Sequence, residues 1–194
     1  MDKPSLRREM RARRRALSAA EAQAASQRLR KLALHHRLLR HARIGFYLPL
    51  SEEIDLLPLL NSALWADRAC FLPVVPQRQA RRLWFSRIGP SDAWYRNRFG
   101  IYEHGSRDRV RAQQLDILFV PLVAFDAQGN RLGMGGGFYD ASLAYLCHRR
   151  VFRKPKLIGV AYDFQRVASL PCEDWDVPLQ AVLTDRALYR FNQA

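Results

Sequence analysis

The sequence predicts an α/β fold, in which a mostly parallel sheet is covered by helices on both faces and is preceded by two N-terminal helices. Short apolar runs, each long enough for one buried strand, alternate with helical patterns from residue 43 onward. Two amphipathic helical patterns fill the residues before this alternation. The 194 residues contain no internal repeat, low-complexity tract or linker, so we expect a single domain over residues 1–194.

The first helix is predicted over residues 4–16, where Leu6, Met10 and Leu17 follow the helical period. A second face of this helix is basic. It carries Lys3, Arg7, Arg11 and Arg14. Because residues four apart lie side by side on a helix, Lys3 and Arg7 can reach the same anion. We expect Arg8, Arg13 and Arg15 to be solvated instead.

Local signals also locate the other elements. Ser18 and Glu21 form a capping-box pattern, which predicts the start of a second helix that runs toward His36. Asp55 is expected to cap a third helix, and a fourth is predicted over Tyr139–His148. The six apolar runs predicted as strands cover residues 44–48, 70–75, 83–85, 117–120, 157–161 and 181–183.

Charge indicates an anionic partner. The net charge is +14, and +10 of it lies in residues 1–43. Nucleic acid, an acidic membrane surface and a polyanionic small molecule such as a nucleotide all fit this charge, and so does a solvated surface in an arginine-rich chain.

The composition argues against a cysteine or histidine metal site, a membrane protein and a secreted protein. The three cysteines and five histidines have no metal-site spacing, so any metal should have oxygen ligands. No apolar stretch approaches the ~18 residues of a membrane helix, and there is no secretory signal. We therefore expect a cytoplasmic protein.

The segment GNRLGMGGGFYD, residues 129–140, predicts an anion site. It has four glycines within five residues, between a predicted strand and a predicted helix. Glycines allow successive backbone N–H groups to converge on a phosphate at a helix N-terminus. The pattern is neither a Walker loop nor a dinucleotide fingerprint. Arg131 could neutralise a phosphate and Asp140 could hold Mg²⁺, although an acid in the first turn of a helix also has a purely structural explanation.

Four segments together resemble one family. They are KPSLR at 3–7, FYLPLSEEID at 46–55, GNRLGMGGGFYD at 129–140 and LPCEDWDVPLQAVLTD at 170–185. In this order and with these separations, they resemble the 5-formyltetrahydrofolate cyclo-ligase family, over nearly the whole chain. The resemblance implies that ATP and Mg²⁺ drive the cyclisation of 5-formyltetrahydrofolate to 5,10-methenyltetrahydrofolate, releasing ADP and phosphate. Such a reaction needs no covalent nucleophile on the protein.

The resemblance also implies roles for individual residues. The ATP site it implies comprises Lys3, Pro4, Ser5, Leu6 and Arg7, together with Arg131, Leu132, Gly133, Met134, Gly135, Gly136, Gly137, Phe138 and Tyr139, of which Arg131 and Tyr139 are the catalytic candidates. The substrate site comprises Leu48 and Glu53, with Phe99, Phe138 and Tyr139 as aromatic walls. Asp140 is the expected Mg²⁺ ligand. Gln180 departs from the family pattern, since a second acid is frequent at its position. An acid at the start of a helix would otherwise explain Glu53.

The partners implied are 5-formyltetrahydrofolate and ATP, with no nucleic acid, no membrane and a monomeric chain. Two alternatives remain open from the residues alone. One is a nucleic-acid-binding module that uses the basic N-terminal helices, although the chain has no recognised groove-reading or single-strand motif. The other is a nucleotide-sugar or sugar-phosphate enzyme on a related sheet, which would use the glycines but would leave Lys3, Arg7 and Glu53 without a stated role.

Overall fold

The computed structural model describes residues 2–50, 52–76, 80–89, 93–148, 154–173 and 175–191. Ser51 and Asp174, which belong to two of the family-like segments, lie outside these residues. The helices are α1 (Lys3–Arg15), α2 (Ala19–His35), α3 (Leu57–Trp65) and α4 (Phe138–Leu143). The strands are β1 (Arg43–Gly45), β2 (Ala69–Val74), β3 (Trp84–Arg87), β4 (Trp94–Arg96), β5 (Tyr102–His104), β6 (Arg109–Val110), β7 (Ile117–Pro121), β8 (Ala124–Phe125), β9 (Arg131–Leu132), β10 (Lys156–Val160), β11 (Ala181–Leu183) and β12 (Leu188–Arg190).

Within the described residues, eight strands form one sheet in the order β12-β11-β10-β7-β1-β2-β3-β6. The strands from β11 to β2 are parallel to one another, while β12, β3 and β6 are antiparallel to their neighbours. The predicted α/β class with a mostly parallel sheet is therefore confirmed. Because the central strands run in one direction, the loops after β1, β2 and β7 leave the sheet at the same edge, where α/β sheets bind ligands.

Helices cover both faces of the sheet, as predicted. Helices α2 and α3 place Leu29 and Leu59 on one face, where they join a buried cluster with Phe46 and Phe119. On the other face, Leu143 from α4 belongs to a second buried cluster. Helix α1 lies apart from both, and its apolar side packs on the hairpin formed by β8 and β9 through the cluster of Leu6, Met10, Val123, Ala124 and Leu132.

At two of the helices, the predicted residues form hydrogen bonds with backbone N–H groups at the helix N-terminus. Ser18 and Glu21 form the capping box at α2: the Ser18 Oγ accepts from the Glu21 N–H at 3.2 Å, and the Glu21 carboxylate accepts from the Ser18 N–H at 2.8 Å. Helix α3 begins at Leu57, and Asp55 Oδ1 accepts a hydrogen bond from that first N–H at 2.8 Å. No helix in the described part of the chain is long and apolar enough to cross a membrane.

The fourth predicted helix is wrong in its second half. Helix α4 ends at Leu143, and a 3₁₀ turn over Ala144–Leu146 follows. Leu143 and Leu146 are both buried. A spacing of three places two side chains on one side of either helix type, so the apolar pattern could not distinguish them. The sequence prediction also lacked the two small hairpins, β4 with β5 and β8 with β9.

Candidate active site

A cavity of about 470 Å³ opens at the carboxyl edge of the parallel strands. Its volume is within the range of small-molecule sites. Three segments build its walls: the loop after β1, the hairpin of β4 and β5, and residues 133–137, which we call the glycine loop. The predicted residues that line it are Leu48, Glu53, Phe99, Arg131, Gly133, Met134, Gly135, Gly136, Gly137, Phe138, Tyr139 and Asp140. The structure therefore brings the predicted substrate-site residues and the glycine-loop part of the predicted ATP site to one cavity, whereas Lys3, Pro4, Ser5, Leu6, Arg7 and Leu132 are not among its lining residues.

The glycine loop has the backbone geometry of an anion site. Gly135 and Gly137 have φ angles of +100° and +67°, in the left-handed region that favours glycine. No described residue accepts a hydrogen bond from the backbone N–H groups of residues 133–137. Five consecutive donors next to the N-terminus of α4 are thus available to a ligand.

Helix α1 folds back onto this loop. The Nε of Arg7 donates to the carbonyl oxygen of Gly133 at 2.9 Å, and the Arg7 guanidinium lies 3.9 Å from the position that a Cβ on Gly135 would take. Arg11 makes a longer contact with the sulfur of Met134, at 3.6 Å. Arg7 and Arg11 of the basic face therefore contact the glycine loop, whereas Arg8, Arg13 and Arg15 are exposed as expected.

Lys3 has a different partner. Its Nζ lies 3.5 Å from Glu173 Oε1, in the segment before β11. Pro4, Ser5 and Leu6 lie in the first turn of α1, where Leu6 is buried and Ser5 N–H donates to Asp2 Oδ1 at 3.1 Å. The i, i+4 spacing of Lys3 and Arg7 is preserved, but in the described structure Lys3 is paired with an acid and Arg7 is on the glycine loop.

Arg131 and Asp140 form an ion pair. Arg131 lies in β9, has 6% of its side chain exposed, and donates both to Asp140 Oδ1 and to the carbonyl oxygen of Val177. The Asp140 side chain is 43% exposed and has its second oxygen free of described partners. The described residues contain no group of three potential metal-ligating side chains. The side chain of Gln180 is engaged elsewhere, because its Oε1 accepts from the backbone N–H of Leu157.

Glu53, from the loop after β1, lines the same cavity. Its Oε2 accepts from the Leu50 N–H at 3.1 Å, and its Oε1 has no hydrogen bond from a described residue. Burial raises the pKa of Glu53, while the positive charge of Arg14 opposes that rise. Burial also raises the pKa values of Tyr47 and Tyr139, so both phenols stay protonated and can donate hydrogen bonds.

Aromatic side chains close the mouth of the cavity. Phe99, at the tip of the hairpin of β4 and β5, packs edge-to-face on Phe138 with ring centroids 5.9 Å apart. The hairpin is fixed by the buried carboxylate of Glu103. This group accepts from the Val75 N–H at 2.8 Å, the Tyr95 hydroxyl at 2.9 Å and the Asn97 amide at 2.7 Å. Phe99 itself is 55% exposed, so one of its faces is free for a ligand.

Sequence reasoning missed four residues at this site. Tyr47 lines the cavity, the positive charge of Arg14 lowers the pKa of Glu53, Glu103 anchors the hairpin, and Arg81 Nη1 lies 3.8 Å from the position of a Cβ on Gly137. Arg14 carried a usable signal, because it is seven residues after Arg7 and so shares its helix face. The other three come from strand ends and loops, where spacing along the chain does not indicate spatial proximity.

These features define an α/β enzyme whose cavity joins an anion site on backbone donors to an apolar and aromatic ligand site. The sequence profile of the 5-formyltetrahydrofolate cyclo-ligase family matches residues 1–185. The chain belongs to this family.

Named relatives agree with this assignment. The chain is 36% identical over 186 residues to the 5-formyltetrahydrofolate cyclo-ligase of Escherichia coli, covering 94% of this chain and 100% of the relative. It is 38% identical over 181 residues to that of Haemophilus influenzae, covering 92% and 95%. The solved structure of Aquifex aeolicus 5,10-methenyltetrahydrofolate synthetase superposes with a TM-score of 0.83 at 30% identity, covering 100% of this chain and 95% of that one.

Proposed function

We propose that the protein catalyses the ATP-dependent cyclisation of 5-formyltetrahydrofolate to 5,10-methenyltetrahydrofolate, with release of ADP and phosphate. One observation carries the proposal: Arg7 of α1 contacts a glycine loop whose backbone N–H groups have no acceptor among the described residues, and this loop lines the same cavity as Glu53. A triphosphate and a reduced pterin would then lie side by side. Family membership supports the same reaction.

The chemistry explains the need for ATP. The N5-formyl group is an amide, and its oxygen is a poor leaving group. Transfer of the γ-phosphoryl group to that oxygen forms an imidate phosphate and releases ADP. N10 then attacks the activated carbon, the C–O bond breaks with loss of phosphate, and loss of the N10 proton leaves the methenyl bridge. Positioning and charge neutralisation dominate such a transfer.

The residues of the glycine-loop end would bind the phosphates. Backbone N–H groups of residues 133–137 would donate to phosphate oxygens, and Arg7 would neutralise their charge. Lys3 would reach the same anion after leaving Glu173, from which its Nζ is 3.5 Å. Arg131, held by Asp140, would stabilise charge on the transferring group, and the protonated Tyr139 hydroxyl would donate to it.

The donor set around Asp140 fits Mg²⁺ in its usual nucleotide-bound form, in which one or two carboxylates and several phosphate oxygens bind the ion. Asp140 would supply its Oδ2, which has no partner among the described residues, in the cavity wall. The ion would neutralise charge on the bound phosphates. Gln180 would not be a second ligand, since its oxygen is hydrogen-bonded to the Leu157 N–H.

The other end would bind the folate. Glu53 would accept hydrogen bonds from the N–H groups of the pterin ring, and Leu48 would pack beside it. Phe99, Phe138 and Tyr139 would contact the flat ring system. Since all of these residues belong to one chain, a monomer would contain a complete site, which light scattering of the eluting protein can test.

Purified protein incubated with 5-formyltetrahydrofolate tests the proposal directly. The methenyl product, followed by its ultraviolet absorbance, should form with ATP and Mg²⁺ and not with either one omitted. Asp140→Asn should raise the Mg²⁺ concentration required for half-maximal rate, while its folate KM changes little. An intact, folded protein that forms no product in the complete mixture would refute the proposed reaction.

A further inference from the structure

Tyr47 is a buried phenol in the wall of the cavity. It lies two residues beyond the end of β1, and only 4% of its surface is exposed. Its side chain belongs to the same buried cluster as Phe46 and Phe119. Together with Leu48 and Glu53, it also lines the cavity. One side chain is therefore part of both the core and the candidate active site.

The hydroxyl group of Tyr47 forms no hydrogen bond with a described residue. A buried tyrosine hydroxyl usually has such a partner, because its removal from water without one costs free energy. The Tyr47 hydroxyl is not among the described polar atoms that are both fully enclosed and unpaired, so it keeps contact with open space. The cavity is the space that Tyr47 lines, and the hydroxyl is therefore available to a ligand bound there.

Two pairs of polar residues in the cavity wall bind each other instead. The Asn97 amide donates to Glu103 at 2.7 Å, and the same carboxylate also accepts from the Val75 N–H. Arg131 donates to Asp140. These side chains are already engaged within the protein, which leaves few hydrogen-bonding groups in the wall for the recognition of a ligand ring.

A reduced pterin needs both acceptors and donors around it. Glu53 would accept from its ring N–H groups, but the carbonyl oxygen at C4 and the oxygen of the N5-formyl group each require a donor. Three described phenols line the cavity. Tyr102 is half-exposed and its hydroxyl accepts from Arg96 at 3.2 Å, while the proposed function assigns Tyr139 to the transferring phosphoryl group. Tyr47 is the phenol that remains for a pterin oxygen.

We propose that the Tyr47 hydroxyl is a substrate-binding donor, which forms a hydrogen bond with a carbonyl oxygen of the reduced pterin. The inference rests on the proposed function for the identity of the ligand. Because the ring is already packed in the core, ligand binding would not have to order this side chain. Because the hydroxyl has no partner within the protein, its removal should weaken ligand binding without destabilising the fold.

The first experiment removes this one oxygen atom with Tyr47→Phe. Its matched control is Tyr162→Phe, since Tyr162 is also 4% exposed and belongs to the same cluster but is not among the cavity-lining residues. Calorimetric titration without nucleotide measures the Kd for 5-formyltetrahydrofolate. It should rise about 5-fold in Tyr47→Phe, as for one lost hydrogen bond, and less than about 2-fold in Tyr162→Phe. The Tm of Tyr47→Phe should equal that of the wild type.

Two results of this experiment would overturn the inference. One is an unchanged Kd in a folded Tyr47→Phe protein. The other is a Tm that falls more in Tyr47→Phe than in Tyr162→Phe, because the hydroxyl would then have its partner within the protein.

The second experiment distinguishes the two carbonyl oxygens. 5-Methyltetrahydrofolate has the same ring carbonyl but no formyl oxygen. An equal rise in Kd for both folates in Tyr47→Phe would assign the hydroxyl to the ring carbonyl, whereas a rise confined to 5-formyltetrahydrofolate would assign it to the formyl oxygen. A rise for neither folate would overturn the inference.

The inference and the proposed function can fail separately. If the wild type binds 5-formyltetrahydrofolate but forms no methenyl product, the proposed function fails, and the Kd comparison still decides the role of Tyr47. If the wild type forms the product while Tyr47→Phe binds the folate as tightly as the wild type does, only the inference fails.

Discussion

The two ends of the cavity recognise ligands by different means. At the glycine-loop end, backbone N–H groups and the cation Arg7 form the proposed site. At the Glu53 end, burial raises the pKa of a carboxylate, and the hydrogen bond from the Leu50 N–H and the charge of Arg14 lower it. The first site therefore depends on the conformation of the backbone, whereas the second depends on the surroundings of one buried carboxylate.

The largest effect should come from distorting the glycine loop. Gly135→Ala places a Cβ on a backbone with φ of +100°, so the loop must change conformation and its N–H groups change direction. We expect kcat/KM for ATP to fall about 100-fold in steady-state assays. Gly100→Ala introduces the same type of strain at φ +74° in the hairpin tip, where the added Cβ meets no atom within 4 Å. It should leave the ATP KM near the wild-type value; an equal ATP defect in both variants would contradict the difference between the two ends.

Removing the cation from the glycine-loop end should have the next largest effect. Arg7→Met deletes the charge and the 2.9 Å hydrogen bond to Gly133. A charge-assisted contact of this kind corresponds to a loss of about 30-fold in kcat/KM for ATP, with the folate KM changed much less. Arg8→Met, one residue along on the exposed side, is the matched control. If Arg7→Met raised the KM for ATP and the KM for folate equally, Arg7 would not belong to the ATP site alone.

Shortening the aromatic wall should act on the folate end alone. Phe99→Ala removes a ring that packs on Phe138 and lines the cavity, so the folate KM should rise about 5-fold, as expected for one lost aromatic contact. Trp94→Ala is a control in the same hairpin, because Trp94 packs edge-to-face on His104 outside the cavity lining. If the folate KM rose more in Trp94→Ala than in Phe99→Ala, folate binding would depend on the stability of the hairpin and not on contact between Phe99 and the ligand.

Lys3 should contribute least, since it is partly exposed and already paired. Lys3→Ala should raise the ATP KM about 3-fold, within the range of a partly solvated ion pair. Glu173→Gln should act in the opposite direction, because it frees Lys3 for the nucleotide. Both values come from ATP titrations at fixed folate. A lower ATP KM in Lys3→Ala would exclude Lys3 from the glycine-loop end.

The fold was predictable where local signals and burial agree. The capping box at Ser18, the apolar runs of β2 and β7 and the glycine loop all carry short-range patterns that the tertiary structure preserves. The hairpin of β4 and β5 was not predictable, because its strand residues Trp94 and Tyr102 are exposed and show no apolar alternation.

The site was predictable in part for the same reason. Gly135 and Arg7 follow patterns of composition and helical spacing, and the resemblance to a family added Glu53 and Phe99. The sequence placed Arg14 on the basic face of the first helix but did not indicate its partner, the carbonyl oxygen of Leu122. Glu103 could not be assigned at all, since it accepts from the Val75 N–H of a distant segment. The role of a buried charged residue depends on its neighbours in the folded protein, and local sequence patterns do not predict which distant segment supplies them.

Helix α1 connects the glycine loop with the end of β7. Arg7 and Arg14 are two turns apart, about 10 Å along the axis; Arg7 donates to Gly133 in the glycine loop, and Arg14 donates to the carbonyl oxygen of Leu122, just after β7. A rod of this kind cannot tilt at one point without displacing the other. Amide hydrogen exchange along the entire length of α1 should therefore slow when either ligand binds alone, so the helix would report occupancy of both subsites.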